Sequence, residues 1–127
     1  MSDKLQCVSP VDGSVYAERP AASQASCERV FGQARSAWRS WREEPLEARV
    51  GLCLAALDRL LGEREAIGRE ITWQMGRPIR YAANELAGVE ERARYMAKIA
   101  AEALAPIQSG LLNGADRFIR RQPVGVI

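Results

Sequence analysis

The chain has 127 residues, of which 47% are hydrophobic and 27% are charged, a composition typical of one globular domain and not of a disordered segment. Its net charge of +2 is small, and its basic residues are interleaved with glutamates, which argues against a nucleic-acid-binding surface. The sequence contains no histidine. This excludes Ser/His/Asp and Cys/His catalysis and the usual zinc sites with imidazole ligands.

No apolar run approaches the roughly 18 residues of a transmembrane helix, and the first residues lack the apolar core of a signal peptide. We therefore expect a cytoplasmic protein with no membrane partner. The three cysteines, Cys7, Cys27 and Cys53, are widely spaced and form no CxxC pattern. That arrangement is typical of reduced thiols and not of a disulfide framework.

The first predicted elements are a hairpin and a helix. Residues 8–20 form the hairpin, because Asp12-Gly13 is a strong turn dipeptide between apolar positions. Ser23 is a favourable N-cap for a first helix that runs to about Trp41. The apolar residues of this helix recur at the spacing of one helical face. They are Cys27, Val30, Phe31, Ala34, Ala37, Trp38 and Trp41.

A second helix is predicted from the first-turn residue Pro45 to about Gly62. Its apolar stripe includes Cys53 and several leucines. A third helix is predicted over residues 64–75, and Gly76 suits the left-handed position that follows a helix.

The longest helix is predicted from Pro78 to about Leu104. A polar loop that contains Asn113-Gly114 follows, and residues 116–122 are a basic strand candidate. The last five residues, 123–127, read Pro-Val-Gly-Val-Ile, which is typical of a strand buried on both faces of a parallel sheet. Because such a strand needs neighbours, we expect the chain to be the front part of a larger α/β protein.

Most candidate chemical groups have a structural explanation. Cys53 lies in an apolar stripe and is interpreted as a small buried hydrophobe, and Cys7 and Cys27 are interpreted in the same way. Glu43-Glu44 and Glu90-Glu91 are adjacent pairs on helices, whose side chains point in different directions. We therefore expect solvated carboxylates and not an acid/base pair in a cleft.

The tryptophans and glycines give no ligand site either. Trp38 and Trp41 share the apolar face of the first helix, which favours packing over stacking on a ligand, and Trp73 receives no assignment. The glycines form neither GxGxxG nor GxxxxGK[ST], so no phosphate-binding loop is predicted.

The basic segment at Arg117, Phe118, Arg120 and Arg121 has more than one interpretation. It could bind nucleic acid, or its charges could protect a bare strand edge from unwanted pairing. The interpretation that we favour is a strand that pairs with another subunit, with Phe118 and Ile119 on its two faces.

Five segments, in this order along the chain, resemble motifs of the aldehyde dehydrogenase superfamily. They are SPVDGSVY at residues 9–16, AWRSW at 37–41 with PLEAR at 45–49, EITWQMGRPI at 70–79, ARYMA at 93–97 and RRQPVGVI at 120–127. Each motif alone is weak, but the five together cover essentially the whole chain and are specific.

The resemblance implies an α/β enzyme to which this chain contributes a mostly α-helical part, with four helices flanked by an N-terminal β-hairpin and C-terminal strands. It implies that residues 1–115 are the helical N-terminal part of the dinucleotide-binding domain. Residues 116–123 would be a strand of the oligomerisation region of a homodimer or homotetramer. Residues 124–127 would begin the first parallel strand of the dinucleotide-binding sheet.

The chemistry that the resemblance implies is oxidation of an aldehyde to an acid with NAD or NADP. Family members use a cysteine nucleophile, a glutamate base and an asparagine in the oxyanion site. By resemblance, these residues belong to segments that follow Ile127, and the three cysteines here do not match the nucleophile's motif. No catalytic, cofactor-binding or metal-ligating residue is therefore assigned in this chain.

Two alternatives remain open at this point. One is a self-standing helical interaction module without catalysis, and the other is a nucleic-acid surface around Arg120, which has little support. Helices that enclose a complete interior would favour the module. Helices that coat a missing β-layer would favour the enzyme segment.

Overall fold

A computed structural model describes residues 4–127, so the first three residues of the predicted 1–115 part lie outside the described range. The chain is mostly helical with an N-terminal hairpin, as the sequence predicts, and its C-terminal strands form a second hairpin. In chain order the elements are β1 (Lys4–Val8), β2 (Val15–Pro20), α1 (Gln24–Trp41), α2 (Leu46–Gly62), α3 (Arg64–Met75), α4 (Ile79–Ala82), α5 (Glu85–Leu104), β3 (Ile107–Leu112) and β4 (Ala115–Ile119).

The N-terminal hairpin pairs β1 with β2 in antiparallel register, and its turn contains Asp12-Gly13 as predicted. Ser9 is almost fully buried in this turn, where its Oγ accepts a hydrogen bond from the Val11 amide at 3.2 Å. The Asp12 carboxylate accepts hydrogen bonds from the amide and hydroxyl of Ser14 at 2.9 and 2.7 Å. Both hydrogen bonds lower the pKa of Asp12, and the one from the Ser14 amide has the larger effect.

Helix α1 begins where the sequence predicts, because the Ser23 Oγ accepts a hydrogen bond from the Ser26 amide at 3.2 Å. Its apolar face exists but is uncovered, and no residue of the helix is buried. Val30 and Phe31 are 51% and 56% exposed. The predicted amphipathic helix is confirmed, while the layer that would cover it is not among residues 4–127.

Helices α2 and α3 end at the predicted glycines. Pro45 stands one residue before the first turn of α2, which ends at Gly62. Gly76 follows α3 with a φ of 74°, and its amide donates to the Thr72 carbonyl at 2.8 Å. This left-handed residue reverses the chain after α3 and brings it close to the N-terminal hairpin.

The prediction of one helix from Pro78 to Leu104 is wrong, because the helix breaks at Ala83-Asn84 into α4 and α5. Arg64 holds the break: its Nε donates to the Ala83 carbonyl and its Nη2 to the Asn84 Oδ1, both at 3.0 Å. The Ala87 amide bonds to the Asn84 carbonyl instead of continuing the α-helical ladder. At the break, Ala83 packs against Gly68, where an added Cβ would lie 3.1 Å from the Ala83 nitrogen.

The prediction of a polar loop before a strand at 116–122 is also partly wrong. Residues Ile107–Leu112 form β3, which pairs antiparallel with β4, and β4 ends at Ile119. Asn113-Gly114 is the hairpin turn, with φ values of 53° and 77° that suit this dipeptide. Gly110, with φ 79°, lies at an irregularity of the ladder, and this glycine conceals the strand pattern in the sequence.

The interior is very small. Among residues 4–111 and 113–127 the buried apolar side chains are Leu57, Ala82 and Leu86. The helices therefore do not enclose a complete core. No described helix has the length and apolar character needed to cross a membrane.

Residues 120–127 form no strand in the structure, and Val124 is 94% exposed. A parallel strand forms only beside a neighbouring strand, and β1 to β4 pair solely as two separate hairpins. The assignment of residues 124–127 to a parallel sheet therefore stays a prediction.

Candidate interface

An open apolar groove runs between α2 and α5. It has a volume of about 360 Å³, and we call it the α2–α5 groove. Its lining includes Trp41, Leu46, Val50, Cys53, Leu54 and Met96. The groove exists because α2 contributes a stripe of branched side chains, while α5 contributes small alanines that keep its surface low.

Cys53 is exposed in this groove, so its prediction as a buried hydrophobe is wrong for the structure described. Cys53 does lie on the apolar stripe that the sequence identifies. The physical reason is that no element among residues 4–127 covers that stripe. Met96, across the groove on α5, is 61% exposed for the same reason.

An ion-paired arginine joins the two helices that form the groove. The Nη2 of Arg94 on α5 lies 2.8 Å from the Asp58 Oδ1 on α2, and its Nε lies 2.9 Å from the Glu90 Oε1. The hydrogen bonds that Arg94 donates to Glu90, the larger influence, and to Asp58 raise the pKa of Arg94. Glu90 is thus a surface ion-pair partner, which agrees with its interpretation as a solvated carboxylate.

A second recess, which we call the arginine recess, lies at one end of the groove and has a volume of about 520 Å³. Leu46 and Arg49 line both the recess and the groove, so the two are continuous. The recess is lined by Leu46, Leu104, Pro123 and Val124 together with Arg49 and Arg121. Sequence reasoning missed this pairing, because Arg49 and Arg121 lie far apart in the chain.

The outer face of α1 carries the predicted tryptophans. Trp38 is half-buried, and its Nε1 is enclosed without a hydrogen-bond acceptor. The Arg42 guanidinium lies 5.1 Å from the Trp38 ring centroid, within the range of a cation–π contact. Trp41 is 40% exposed. These side chains therefore occupy the packing face that the sequence predicts, but that face is largely open.

The β3–β4 hairpin contains Arg117 and Phe118 of the predicted basic segment and is solvent-exposed, and Arg120 and Arg121 follow it. Phe118 is 48% and Ile119 58% exposed, and the Arg120 guanidinium lies 5.8 Å from the Phe118 ring. Arg121 turns back, where its Nη1 donates to the Ala105 carbonyl at 2.9 Å. Both outer edges of this two-stranded sheet lack a partner strand among residues 4–127.

The N-terminal hairpin, in contrast, is fixed to α3 by aromatic side chains. Tyr16 stacks on Trp73, with 5.8 Å between ring centroids and an interplanar angle of 9°. The Tyr16 hydroxyl donates to the Glu70 Oε1 at 2.7 Å. This bond raises the pKa of Tyr16 and lowers the pKa of Glu70, which also accepts from Gln74. Trp73, unassigned from sequence, is therefore a packing residue.

The three cysteines, considered from sequence as candidate nucleophiles, lie apart from one another in residues 4–127. The three cysteines are free thiols on separate elements, and no group of His, Cys, Asp and Glu in residues 4–127 could hold a metal ion. Gly13 and Gly114 lie in antiparallel hairpin turns, and Gly76 lies at a helix C-terminus. The glycine-rich GxGxxG turn lies instead between a parallel strand and a helix N-terminus, so these three glycines do not form it. The expectation that this chain holds no cofactor-binding residue stays a prediction.

A match to a family model identifies the family of this chain. The model described as "Aldehyde dehydrogenase family" matches residues 1–127. The chain belongs to the aldehyde dehydrogenase family. This confirms the resemblance drawn from the five sequence motifs.

Individual relatives of this aldehyde dehydrogenase chain agree with the family match. Malonate-semialdehyde dehydrogenase 2 of Shouchella clausii is 28% identical over 118 residues, which cover 93% of this chain and 24% of that protein. The crystal structure of NADP-dependent glyceraldehyde-3-phosphate dehydrogenase from Bacillus halodurans with NADP has a TM-score of 0.83 and 24% identity. That match covers 96% of this chain and 27% of the other.

Betaine aldehyde dehydrogenase from Staphylococcus aureus, in complex with NAD⁺, has a TM-score of 0.83 at 21% identity. It is covered over 25% of its length, while 96% of this chain is matched. These two structural likenesses establish the fold. The chain spans about a quarter of the length of the relatives that it matches.

Proposed function

We propose that this chain is part of an NAD(P)-dependent aldehyde dehydrogenase that oxidises an aldehyde to a carboxylic acid. In that enzyme its helices would cover one side of the dinucleotide-binding sheet. The observation that carries the proposal is the open apolar surface of α1, α2 and α5 in a chain that matches a quarter of full family members. A self-standing helical module fits less well, because three buried apolar side chains make a very small core.

The proposal assigns a separate structural role to each of three segments of the chain. Residues 1–115 would form the helical part of the dinucleotide-binding domain. Residues 116–123, which include most of β4, would contribute to the interface of a homo-oligomer, either a dimer or a tetramer. Residues 124–127 would enter the parallel sheet, which would cover their exposed apolar side chains.

We further propose that this chain supplies scaffold and no reacting group. Cys27 and Cys53 are exposed, and Cys7 is half-buried with its Sγ 3.9 Å from the Gln74 carbonyl oxygen. None of them lies in the nucleophile's motif, and the cofactor would accept a hydride in another part of the enzyme. The choice between NAD and NADP would likewise be made elsewhere. Location in the cytoplasm is proposed from the sequence composition.

The first experiment asks whether the isolated chain has activity. The purified 127-residue chain is mixed with NAD or NADP and with short aliphatic, aromatic and semialdehyde substrates, and absorbance at the nicotinamide band is followed. Far-ultraviolet circular dichroism checks that the helices are formed. We expect no reduction of the cofactor by the helical chain. Turnover above the background rate would contradict the assignment of catalysis to other segments.

The second experiment asks whether the chain can serve as the scaffold. Residues 1–127 replace the matched quarter of the Bacillus halodurans enzyme, and the chimera is assayed with the substrate named for that enzyme. We expect measurable NADP-dependent turnover, because the two folds superpose closely. A matched chimera with Leu57→Asp, which places a charge in the small core, serves as the control and should be inactive. Equal activity in both chimeras would contradict a scaffold role.

A further inference from the structure

The arginine recess has an unbalanced charge. Arg49 and Arg121 both line it, and the lining residues drawn from 4–127 include no carboxylate side chain. Glu102 lines the neighbouring recess with Arg121, but no ion pair within 4 Å joins them in the part of the chain that is described. Arg94, at the other side of the α2–α5 groove, is paired with both Asp58 and Glu90. One end of the groove is therefore neutralised and the other is cationic.

The chain itself supplies little to neutralise Arg49. On α2, the positions one turn before and after it are Pro45 and Cys53, so no acidic side chain is its helical neighbour. Its Nε is enclosed and has no hydrogen-bond acceptor in the described part of the chain. Arg121 uses its Nη1 to donate to the Ala105 carbonyl, which carries no formal charge. Any layer that covers the recess would bury these guanidinium groups, and buried charge requires a partner.

We propose that the α2–α5 groove and the arginine recess together receive an apolar polypeptide segment that carries an Asp or Glu carboxylate opposite Arg49 and Arg121. The groove and the recess are open and share Leu46 and Arg49, so a segment of chain could follow both of them. A planar guanidinium matches a carboxylate in geometry as well as in charge. The inference rests on the proposed function, because the segment would belong to the sheet side of the enzyme.

The test uses two matched amphipathic peptides of leucine, valine and alanine that differ only in one central Glu or Gln. Amide shifts of the isotope-labelled chain locate the binding site, and titrations at low salt give the two affinities. We expect shifts at Leu46, Cys53 and Ala101, and an affinity for the Glu peptide that is about five- to tenfold higher. This preference should fall as salt is added.

Three variants sharpen the test. In the double variant Arg49→Gln/Arg121→Gln the preference for the Glu peptide should fall below about twofold, while Arg49→Lys/Arg121→Lys should retain part of it. Lys98→Gln removes a cation beside the paired end of the groove and should leave the preference unchanged. Circular dichroism confirms that each variant keeps its helices.

Several results would overturn the proposal. They are binding of neither peptide, equal affinities, a preference that survives the double glutamine variant, or one that Lys98→Gln also removes. Displacement of the Glu peptide by hexanoate at equal concentration would point to a small anion instead, and self-association that blocks both peptides would point to a second copy of the chain. Failure here with an active chimera would overturn only this proposal, whereas an inactive chimera would overturn the proposed function.

Discussion

The two hairpins of this chain have similar lengths but opposite surroundings. The β1–β2 hairpin is held against α3 by the Tyr16–Trp73 stack, the Tyr16–Glu70 hydrogen bond and the contact of Pro10 with Gly76. The β3–β4 hairpin projects from the helices, and the described connection nearest to it is the Arg121–Ala105 hydrogen bond. The first hairpin is therefore part of the folded unit, while the second presents its surface outwards.

This difference indicates what each hairpin is for. A hairpin that packs on its own chain gains stability from side-chain contacts, and substitutions there should change the free energy of unfolding. A hairpin with exposed apolar residues and free edges gains stability mainly when another element covers it. Substitutions in β3–β4 should therefore change association and leave the isolated chain little affected.

The largest expected effect compares two left-handed glycines. Gly76→Ala should lower the free energy of unfolding by about 2–3 kcal/mol, because its φ is 74° and its new Cβ would lie 2.9 Å from the Pro10 Cγ. Gly110→Ala has a similar φ of 79° but meets no atom within 4 Å, so it should cost only about 1 kcal/mol. Urea unfolding measures both. Equal losses would contradict the packed docking of the first hairpin.

The next effect compares two aromatic residues. Trp73→Ala should destabilise the chain by about 1–2 kcal/mol, since it removes a stacked partner of Tyr16 that is 36% exposed. Phe118→Ala should change the same quantity by less than about 0.5 kcal/mol, because Phe118 is half-exposed. A larger loss of unfolding free energy for Phe118→Ala than for Trp73→Ala would contradict the expected difference between the two hairpins.

A smaller effect depends on pH. The Tyr16–Glu70 hydrogen bond raises the pKa of Tyr16. The stability that the folded chain gains from this shift is complete below the usual tyrosine pKa, about 10, and is lost as pH rises through the higher folded-state pKa. The same bond lowers the pKa of Glu70. The stability gained from that shift is present above the usual carboxyl pKa and is lost as pH falls through the lower folded-state pKa. Wild type should exceed Tyr16→Phe in melting temperature near neutrality. A constant difference at all pH values would contradict this.

The smallest effect on stability is expected for Phe118→Glu, although its effect on assembly should be the clearest. The isolated chain should unfold within about 0.5 kcal/mol of wild type, because the side chain is largely solvated. In the active chimera the same substitution should shift the mass measured by light scattering towards smaller assemblies. Asp116→Asn on the same strand is the control. An unchanged mass for Phe118→Glu would argue against a role of β4 in association.

Local signals made much of the fold predictable from sequence. Ser23 begins α1 and Gly76 follows α3 because capping and left-handed glycine preferences act over a few residues. Asp12-Gly13 and Asn113-Gly114 both lie in hairpin turns, although the sequence around the second dipeptide predicts a loop. In that case Gly110 within β3 removed the alternation by which a strand is recognised.

Features that depend on residues distant in sequence were not predictable. The break between α4 and α5 depends on Arg64, which lies 19 residues before Ala83 in the sequence. The arginine recess depends on the meeting of Arg49 with Arg121. The exposure of Cys53 has a different origin: its stripe was identified correctly, but burial also requires a covering layer.

The break at Ala83-Asn84 gives Arg64 an influence on geometry far from its own position. Helix α5 has 20 residues and therefore extends about 30 Å from the break. A change of about 10° in its direction would displace its far end, next to β3, by about 5 Å, which is one helical turn. The two hydrogen bonds of the Arg64 guanidinium therefore act together with the packing of α5 on α2 to determine where the second hairpin lies.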